Sequence, residues 1–325
     1  MKFYGSHPSY LDKRKQVTLI NGCMSEEVLE KPFGVPQGSV LGPLLFLIHI
    51  NDVTSNVNCK SHLYADDTVL LVADKCAQNI EIKLNTELDK EAHRWFTENR
   101  LTFNAKKTKY MIFGNARKTN QLGDICINLN ANKLDQVESF KYLGVHFDQQ
   151  LIWKKHLKET AQKISLKLKK IQRASPFLSK HCRTLLVNSL VMPYSDYCSE
   201  AWSSASFTSL RRLSNLYNKA LKMKEKSLKD PASLQELFQR NTAIMMFKCL
   251  NGLAPDYLTD GFTCSAQVHQ KNTRSAAAKK VYAKNTRGKA SSSFRRTGTK
   301  VWNDLPGPIT SKNSISQIKG SLLSL

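Results

Sequence analysis

The chain has 325 residues, with 49 Lys and Arg against 26 Asp and Glu, a net charge of +23. A hydrophobic content of 41% excludes a disordered chain and supports a packed core, in one large domain or two to three smaller ones. The clustered positive charge favours an anionic partner, nucleic acid ahead of an acidic membrane surface.

The eight cysteines are scattered, with no Cys-x-x-Cys pair, and read as reduced thiols rather than zinc ligands. Met1-Lys2-Phe3-Tyr4-Gly5 carries no long apolar run, so no signal peptide is read. The most apolar stretch, Val40–Ile50, is too short to span a bilayer. The expectation is an intracellular protein of nucleus or cytoplasm, with no transmembrane segment and no membrane partner.

Residues 1–150 read as mixed α and β structure. Gln16–Ile20 is β-branched and precedes Asn21-Gly22, a strong hairpin turn signal. Glu30–Phe33 reads as the next strand. A glycine-rich turn, Gly34–Gly38, leads into an apolar helix over Val40–Val53, with Ser39 as its cap and Pro43 tolerated near the first turn. His62–Ala65 and Thr68–Val72 read as two short strands around Asp66-Asp67. Gln78–Arg100 is helical, with Ile80, Leu84, Leu88, Ala92 and Trp95 on one face. Tyr110–Phe113, Ile125–Leu129 and Phe140–Phe147 read as strands, the last two separated by the turn Asn130-Ala131-Asn132.

Beyond Leu151 the pattern turns helical. Trp153–Arg173 sets Leu157, Ala161, Ile164, Leu168 and Ile171 on one side; the other bears eight Lys/Arg against the single acid Glu159. Lys154, Lys155, Lys158, Lys163, Lys167 and Lys170 are its candidates for contacting a nucleic-acid backbone. Arg183–Tyr197, Ser206–Lys224 and Ser233–Leu250 also read as helices. Ser265–Asn303 contains no acid, and Lys271–Lys300 within it holds ten Lys/Arg; this stretch reads as loose in isolation. The domain reading is 1–150, 151–225 and a basic C-terminal region 226–325.

Two motifs carry chemistry. In Tyr64-Ala65-Asp66-Asp67-Thr68, two adjacent carboxylates sit between short apolar strands, an arrangement that a hard divalent cation relieves. An ordinary Asp-rich turn explains the pentad equally well. In Gly34-Val35-Pro36-Gln37-Gly38-Ser39-Val40-Leu41-Gly42, glycines allow close approach of a ligand and Gln37 offers an amide. Alone, it reads as a strand-to-helix connection.

In this order and spacing, the two motifs resemble the reverse transcriptases of non-LTR, LINE-like retrotransposons, in their Pro-Gln-Gly loop and Ala-Asp-Asp turn. Leu101-Thr102-Phe103-Asn104-Ala105-Lys106-Lys107-Thr108 resembles the downstream segment ending in Lys-Thr. Phe140-Lys141-Tyr142-Leu143-Gly144-Val145 resembles the primer-grip hairpin. Asn251–Leu258 and Val301–Pro306 resemble the tails of such element-encoded proteins.

The resemblance implies an α+β fold: a partial right-hand polymerase palm, an antiparallel sheet with helices, then an α-helical thumb-like region and a basic C-terminal tail. It implies magnesium as cofactor, in a two-metal site held by Asp66 and Asp67, and an RNA template and DNA primer as partners. Pro36, Gln37 and Gly38 would line the template and nucleotide side. Lys107 would neutralise the departing pyrophosphate, although it reads equally well as a solvated member of a basic run. Tyr142, Leu143 and Gly144 would shape the primer grip.

The family's other metal-bridging aspartate lies upstream of the Pro-Gln-Gly loop. The acids before Gly34 are Asp12, Glu26, Glu27 and Glu30, and Asp12, the one aspartate, lies in Tyr10–Lys15, which resembles the family's short helix between the two motifs rather than the strand that carries that aspartate. The expectation is therefore an N-terminally truncated polymerase, inactive without the fingers and that aspartate, which the remainder of an element-encoded polyprotein would supply. The competing reading is a non-catalytic nucleic-acid-binding remnant, in which Trp202, Tyr217, Phe294 and Trp302 are candidates for base stacking, each more readily explained by packing.

Overall fold

A computed structural model describes residues 8–11, 14–25, 29–30, 34–114, 119, 125–225, 230–264, 280–283 and 293–322. The chain divides into two units, Met1–Val137 and Glu138–Leu325. Both mix helices with short strands, an α+β architecture.

In the first unit, strands β1 (Leu19–Ile20) and β2 (Cys23–Met24) form an antiparallel hairpin around Asn21-Gly22. Both turn residues have positive φ, 49° and 84°, which this Asn-Gly pair tolerates. The apolar segment becomes helix α1 (Leu41–Ile50), continued by a 3₁₀ turn over Asn51–Asn56. Strands β3 (Lys60–Tyr64) and β4 (Asp67–Leu71) pair antiparallel in full register, from Lys60↔Leu71 to Tyr64↔Asp67.

The expected helix Gln78–Arg100 is broken into α2 (Ala77–Thr86), a π-helical turn (Glu87–Ala92) and α3 (His93–Glu98). The wider turn shifts the apolar stripe. Leu88 packs with Ile125, Ile127, Leu129 and Leu134, while Trp95 and Phe96 pack with Ile50 and Val53. Ile125–Leu129 is mostly irregular. Only β5 (Asn128–Leu129) pairs, with β6 (Asn132–Lys133), across Asn130-Ala131, both left-handed.

The described strands form two-stranded pairs, six antiparallel and one parallel. Eight of the fourteen described strands are only two residues long. Leu19, Ile20 and Met24 on the first hairpin, and Leu44 and Leu47 on α1, remain exposed.

The second unit opens with the hairpin β7 (Ser139–Tyr142) and β8 (Val145–Asp148). Phe140–Phe147, which reads as one strand, thus folds back on itself at Leu143-Gly144, whose φ values are 45° and 82°. Helix α4 (Lys154–Ala174) follows and buries Leu157, Ala161, Ile164, Leu168 and Ile171, the stripe its periodicity marks. Helices α5 (Lys180–Leu190), α6 (Met192–Asp196), α7 (Ser199–Trp202), α8 (Phe207–Met223) and α9 (Leu234–Leu250) complete this bundle. The Ser179, Ser206 and Ser233 side chains accept from backbone N–H groups in the first turns of α5, α8 and α9.

Trp202 and Tyr217 lie in the bundle core. Trp302 lies in a second core with Met246, Phe247, Phe262 and Ile318. These three side chains are at most 4% exposed, so they pack rather than stack on bases. Phe294 is partly buried against that second core. The acid-free stretch is not uniformly loose: β9 (Phe262–Cys264) pairs with β10 (Val281–Ala283), and α10 (Phe294–Asp304) packs on α9. Its remaining parts, residues 265–279 and 284–292, lie outside the described residues. Helix α11 (Ile315–Leu322) contributes Ile318 to the second core.

Candidate active site

The Asp66–Asp67 turn is built by its hairpin. Register puts Ser61, Leu63, Thr68 and Leu70 on one face of β3–β4, and His62, Tyr64, Asp67 and Val69 on the other. Leu63 and Leu70 pack against two cores of the first unit, which anchors the inner face. Tyr64 is 62% exposed, and Asp66 and Asp67 are exposed at the tip. Ala65 holds φ at 51°, a left-handed geometry uncommon for a residue with a Cβ. A turn held this tightly fixes where the two carboxylates begin.

The Pro36-Gln37-Gly38-Ser39 segment is a type II turn. Gly38 has φ 82°, and the Ser39 N–H donates to the Pro36 carbonyl at 3.4 Å. Ser39 Oγ donates to that carbonyl at 2.7 Å and accepts from the Gly42 N–H at 3.0 Å, tying the loop to the first turn of α1. A Cβ at Gly42 would sit 2.7 Å from Ser39 Oγ and 3.0 Å from the Pro36 carbonyl oxygen, so a side chain there would push on the hydroxyl that ties the loop. The Arg14 guanidinium donates to the Gly34 carbonyl at 2.6 Å. Gln37 and Gly38 are exposed, and Pro36 is half-buried.

Lys107 is exposed on a turn closed by Asn104, whose carbonyl and side-chain oxygen both accept from the Lys107 N–H, at 3.0 and 3.2 Å. Phe103 packs on Phe96 with ring centroids 4.1 Å apart. Phe46 of α1, Leu63 of β3, Leu101 and Phe103 all pack around the same Trp95–Phe96 core. The Pro-Gln-Gly loop, the Asp-Asp turn and the Lys107 turn therefore share one foundation.

Residues 7–147 match the family profile "Reverse transcriptase (RNA-dependent DNA polymerase)". This segment belongs to the reverse transcriptase family. The chain is 30% identical over 240 residues to the probable RNA-directed DNA polymerase from transposon BS of Drosophila melanogaster, covering 68% of this chain and 25% of that protein. It is 27% identical over 228 residues to the RNA-directed DNA polymerase from mobile element jockey of Drosophila funebris, covering 66% and 24%. It is also 24% identical over 177 residues to the retrovirus-related Pol polyprotein from type-1 retrotransposable element R1 2 of Nasonia vitripennis, covering 52% and 43%. The chain thus spans about a quarter of the length of the first two relatives.

Within the reverse transcriptase segment, the donor set at Asp66 and Asp67 suits a hard cation: two exposed carboxylates side by side at a hairpin tip. No group of three or more His, Cys, Asp or Glu able to hold a metal occurs among the described residues. No helix among them is long and apolar enough to cross a membrane.

Tyr142, Leu143 and Gly144 form the end of the β7–β8 hairpin, in the second unit. Sequence reasoning missed what holds that turn. Tyr197 Oη donates to the Leu143 carbonyl at 2.7 Å, and a Cβ at Gly144 would meet the Tyr197 ring at 3.3 Å. Nothing local signals a contact spanning 54 residues. Of the basic-face candidates, Lys154, Lys155, Lys158, Lys163 and Lys170 are exposed, while Lys167 is half-buried with Nζ 5.4 Å from the Tyr194 ring centroid.

Thr68, next to Asp67, carries a buried hydroxyl with no hydrogen-bond partner among the described residues. A buried unpaired hydroxyl costs about 1–3 kcal/mol, and valine has the same shape. Thr68→Val is expected to leave stability unchanged or raise it by up to about 1 kcal/mol in urea unfolding. A loss of stability would mean that the hydroxyl has a partner.

Proposed function

We propose that this chain works as part of an RNA-directed DNA polymerase of a non-LTR retrotransposon. Residues 1–150 serve as partial palm, 151–225 as a thumb-like region and 226–325 as a basic C-terminal region. The observation that carries the reading is the shared core. Phe46, Leu63, Leu101 and Phe103, from the segments adjoining the Pro36–Gly38 loop, the Asp66–Asp67 turn and the Lys107 turn, all pack on Trp95 and Phe96, which supports the reading.

Asp66 and Asp67 would hold magnesium, which, when bound, stabilises the charge of phosphoryl transfer. Pro36, Gln37 and Gly38 present backbone and one amide to the template and incoming nucleotide. Lys107 places a cation for the departing pyrophosphate. Tyr142, Leu143 and Gly144 support the primer end, and the exposed lysines of α4 contact the duplex backbone.

Two carboxylates leave a two-metal site short of ligands, so a further carboxylate from outside the grouped, described residues is required. The test is primer extension on an RNA template with magnesium, comparing the chain with its Asp66→Ala/Asp67→Ala variant and measuring primer–template binding alongside. Both proteins are expected to bind, with affinity falling steeply as salt rises, and neither to extend. Extension abolished by the double substitution would overturn the incomplete site and make this a working polymerase. Absence of binding would overturn the whole reading.

A further inference from the structure

The β7–β8 hairpin closes through Leu143-Gly144, a two-residue loop between the paired Tyr142 and Val145. Positive φ at both positions, 45° and 82°, is the sign pattern of a type I′ turn. The Asn21-Gly22 turn has the same signs, 49° and 84°, and nothing lies within 4 Å of a Cβ built at Gly22. Asparagine tolerates that geometry unaided, whereas leucine is bulky and seldom adopts it. The Leu143 turn therefore calls for a hold from outside, and Tyr197 supplies one. Its Oη donates to the Leu143 carbonyl at 2.7 Å, and its Cε1 lies 3.3 Å from where a Cβ at Gly144 would stand. The glycine lets the ring come this close.

Tyr197 stands on a locked corner of the bundle. Helix α6 ends at Asp196, and the Tyr197 N–H donates to the Pro193 carbonyl at 3.0 Å. Cys198 then turns left-handed, with φ 51°, before α7 begins. Asn241 Nδ2 of α9 donates to Asp196 Oδ1 at 2.7 Å and to Ser199 Oγ at 2.9 Å, bridging the two sides of the corner. Trp202 Nε1 donates to the Tyr197 carbonyl at 3.0 Å, and the Trp202 ring is buried in the bundle core, edge-on to Phe238. One side chain thus carries the position of this corner to the hairpin tip. The hairpin base has anchors of its own, Val145 in the core and Phe147 packed on Trp153. Tyr197 is 53% exposed, so its contact buries little surface and contributes position more than stability.

We propose that Tyr197 is a positioning residue. It sets where Leu143 and Gly144 stand, and through them where the end of a bound primer lies, without touching the primer itself. The inference rests on the reading of Tyr142, Leu143 and Gly144 as primer support, and adds to it a residue 54 positions along the chain. A hydroxyl on a rigid ring suits this task. The ring has two side-chain torsions, and its backbone is held on both sides of the corner, so the Oη has little freedom to follow a drifting turn.

The test binds the full chain to an RNA template annealed to a DNA primer that ends in 4-thiothymidine, a photo-crosslinking base. Crosslinked peptides are mapped in wild type and in Tyr197→Phe, which keeps the ring and removes only the hydroxyl. Wild type should crosslink within Ser139–Asp148. In Tyr197→Phe those crosslinks should fall by about two- to tenfold, the weight of one neutral hydrogen bond. Overall affinity should stay within about twofold of wild type, because phosphate contacts dominate it. Hydrogen exchange without nucleic acid gives a second readout: the amides of Leu143–Val145 should exchange faster in the variant, with an unchanged thermal melt. Unchanged crosslinking overturns the proposal and leaves the primer-support reading standing; faster exchange beside it would make the clamp structural only. Reduced crosslinking without faster exchange would mean that the hydroxyl meets the primer itself, and overturns the positioning role. Wild type that binds primer–template but crosslinks nowhere in Ser139–Asp148 overturns the primer-support reading and the proposal with it, as does wild type that does not bind.

Discussion

Replacing Asp148 with alanine is expected to destabilise the second unit by about 2–4 kcal/mol, read as a lower urea midpoint with little change in slope. Asp148 ends β8 and is half-buried. Its carboxylate accepts from the Ile152 N–H at 2.9 Å and from the Trp153 N–H at 2.6 Å. Those two bonds hold a loop in which both Leu151 and Trp153 have positive φ, 53° and 64°. Residues with a Cβ adopt that geometry only when their surroundings enforce it.

The loop sets where α4 starts and seats Trp153, 5% exposed, edge-on to Phe147 with ring centroids 5.4 Å apart. Without the carboxylate, two backbone donors lose charge-assisted partners and the strained residues are freed to relax. Asp148→Asn, which keeps one acceptor oxygen, should fall between the two. A change below about 0.5 kcal/mol for Asp148→Ala would show that the loop is held by packing alone. In function, the same variant should uncouple the Tyr142–Gly144 turn from the basic helix and weaken primer–template binding without touching either.

The contrast between α4 and its hairpin shows what a sequence can disclose. The stripe Leu157 to Ile171 is periodic, local and opposite a row of lysines, so helix and buried face were both legible. Ser206 and Ser233 mark the starts of α8 and α9 by a chemistry confined to one turn. The Asp-Asp hairpin was legible too, because apolar strands flank it closely. Leu143-Gly144 was harder: leucine at positive φ is unusual, and besides the glycine only the family resemblance pointed to a reversal within Phe140–Phe147. The Tyr197 clamp, the Asp148 bonds and the packing of Trp302 depend on partners set by tertiary structure. The π-helical turn at Glu87–Ala92 has a tertiary origin as well. Glu87 Oε2 accepts from the Asn58 N–H at 2.7 Å, and the added residue lets Leu88 and Trp95 serve different cores. That the described strands pair only two by two was not legible, since sheet pairing is the least local interaction.

Acidification from pH 7 to pH 5 is expected to destabilise the second unit through His156 and His146. Both imidazoles are buried between the β7–β8 hairpin and α4. His156 Nδ1 accepts from the His146 backbone N–H at 3.4 Å, and its ring lies 5.4 Å from that of Trp202. Burial, reinforced by positive charge on His146 and Lys163, pushes the His156 pKa down to about 4. Burial lowers His146 as well, although Glu159 draws it partly back.

Near pH 7 both histidines are mostly neutral whether the chain is folded or not, so they contribute little pH dependence. As pH drops below about 6.5, the unfolded chain takes up protons that the folded chain refuses, and stability falls. For His156 the decline ends once pH passes below its folded value of about 4. Asp and Glu of the unfolded chain titrate near pH 4.5; in the folded chain burial raises the Glu200 pKa, so its proton uptake opposes the fall, and the comparison with His156→Gln assigns the imidazole part. Urea unfolding at pH 7, 6 and 5 should show the midpoint fall in wild type and fall less in His156→Gln. A wild-type midpoint constant over that interval would mean that the folded chain accepts the proton after all, with His146 and Glu159 moving to accommodate it.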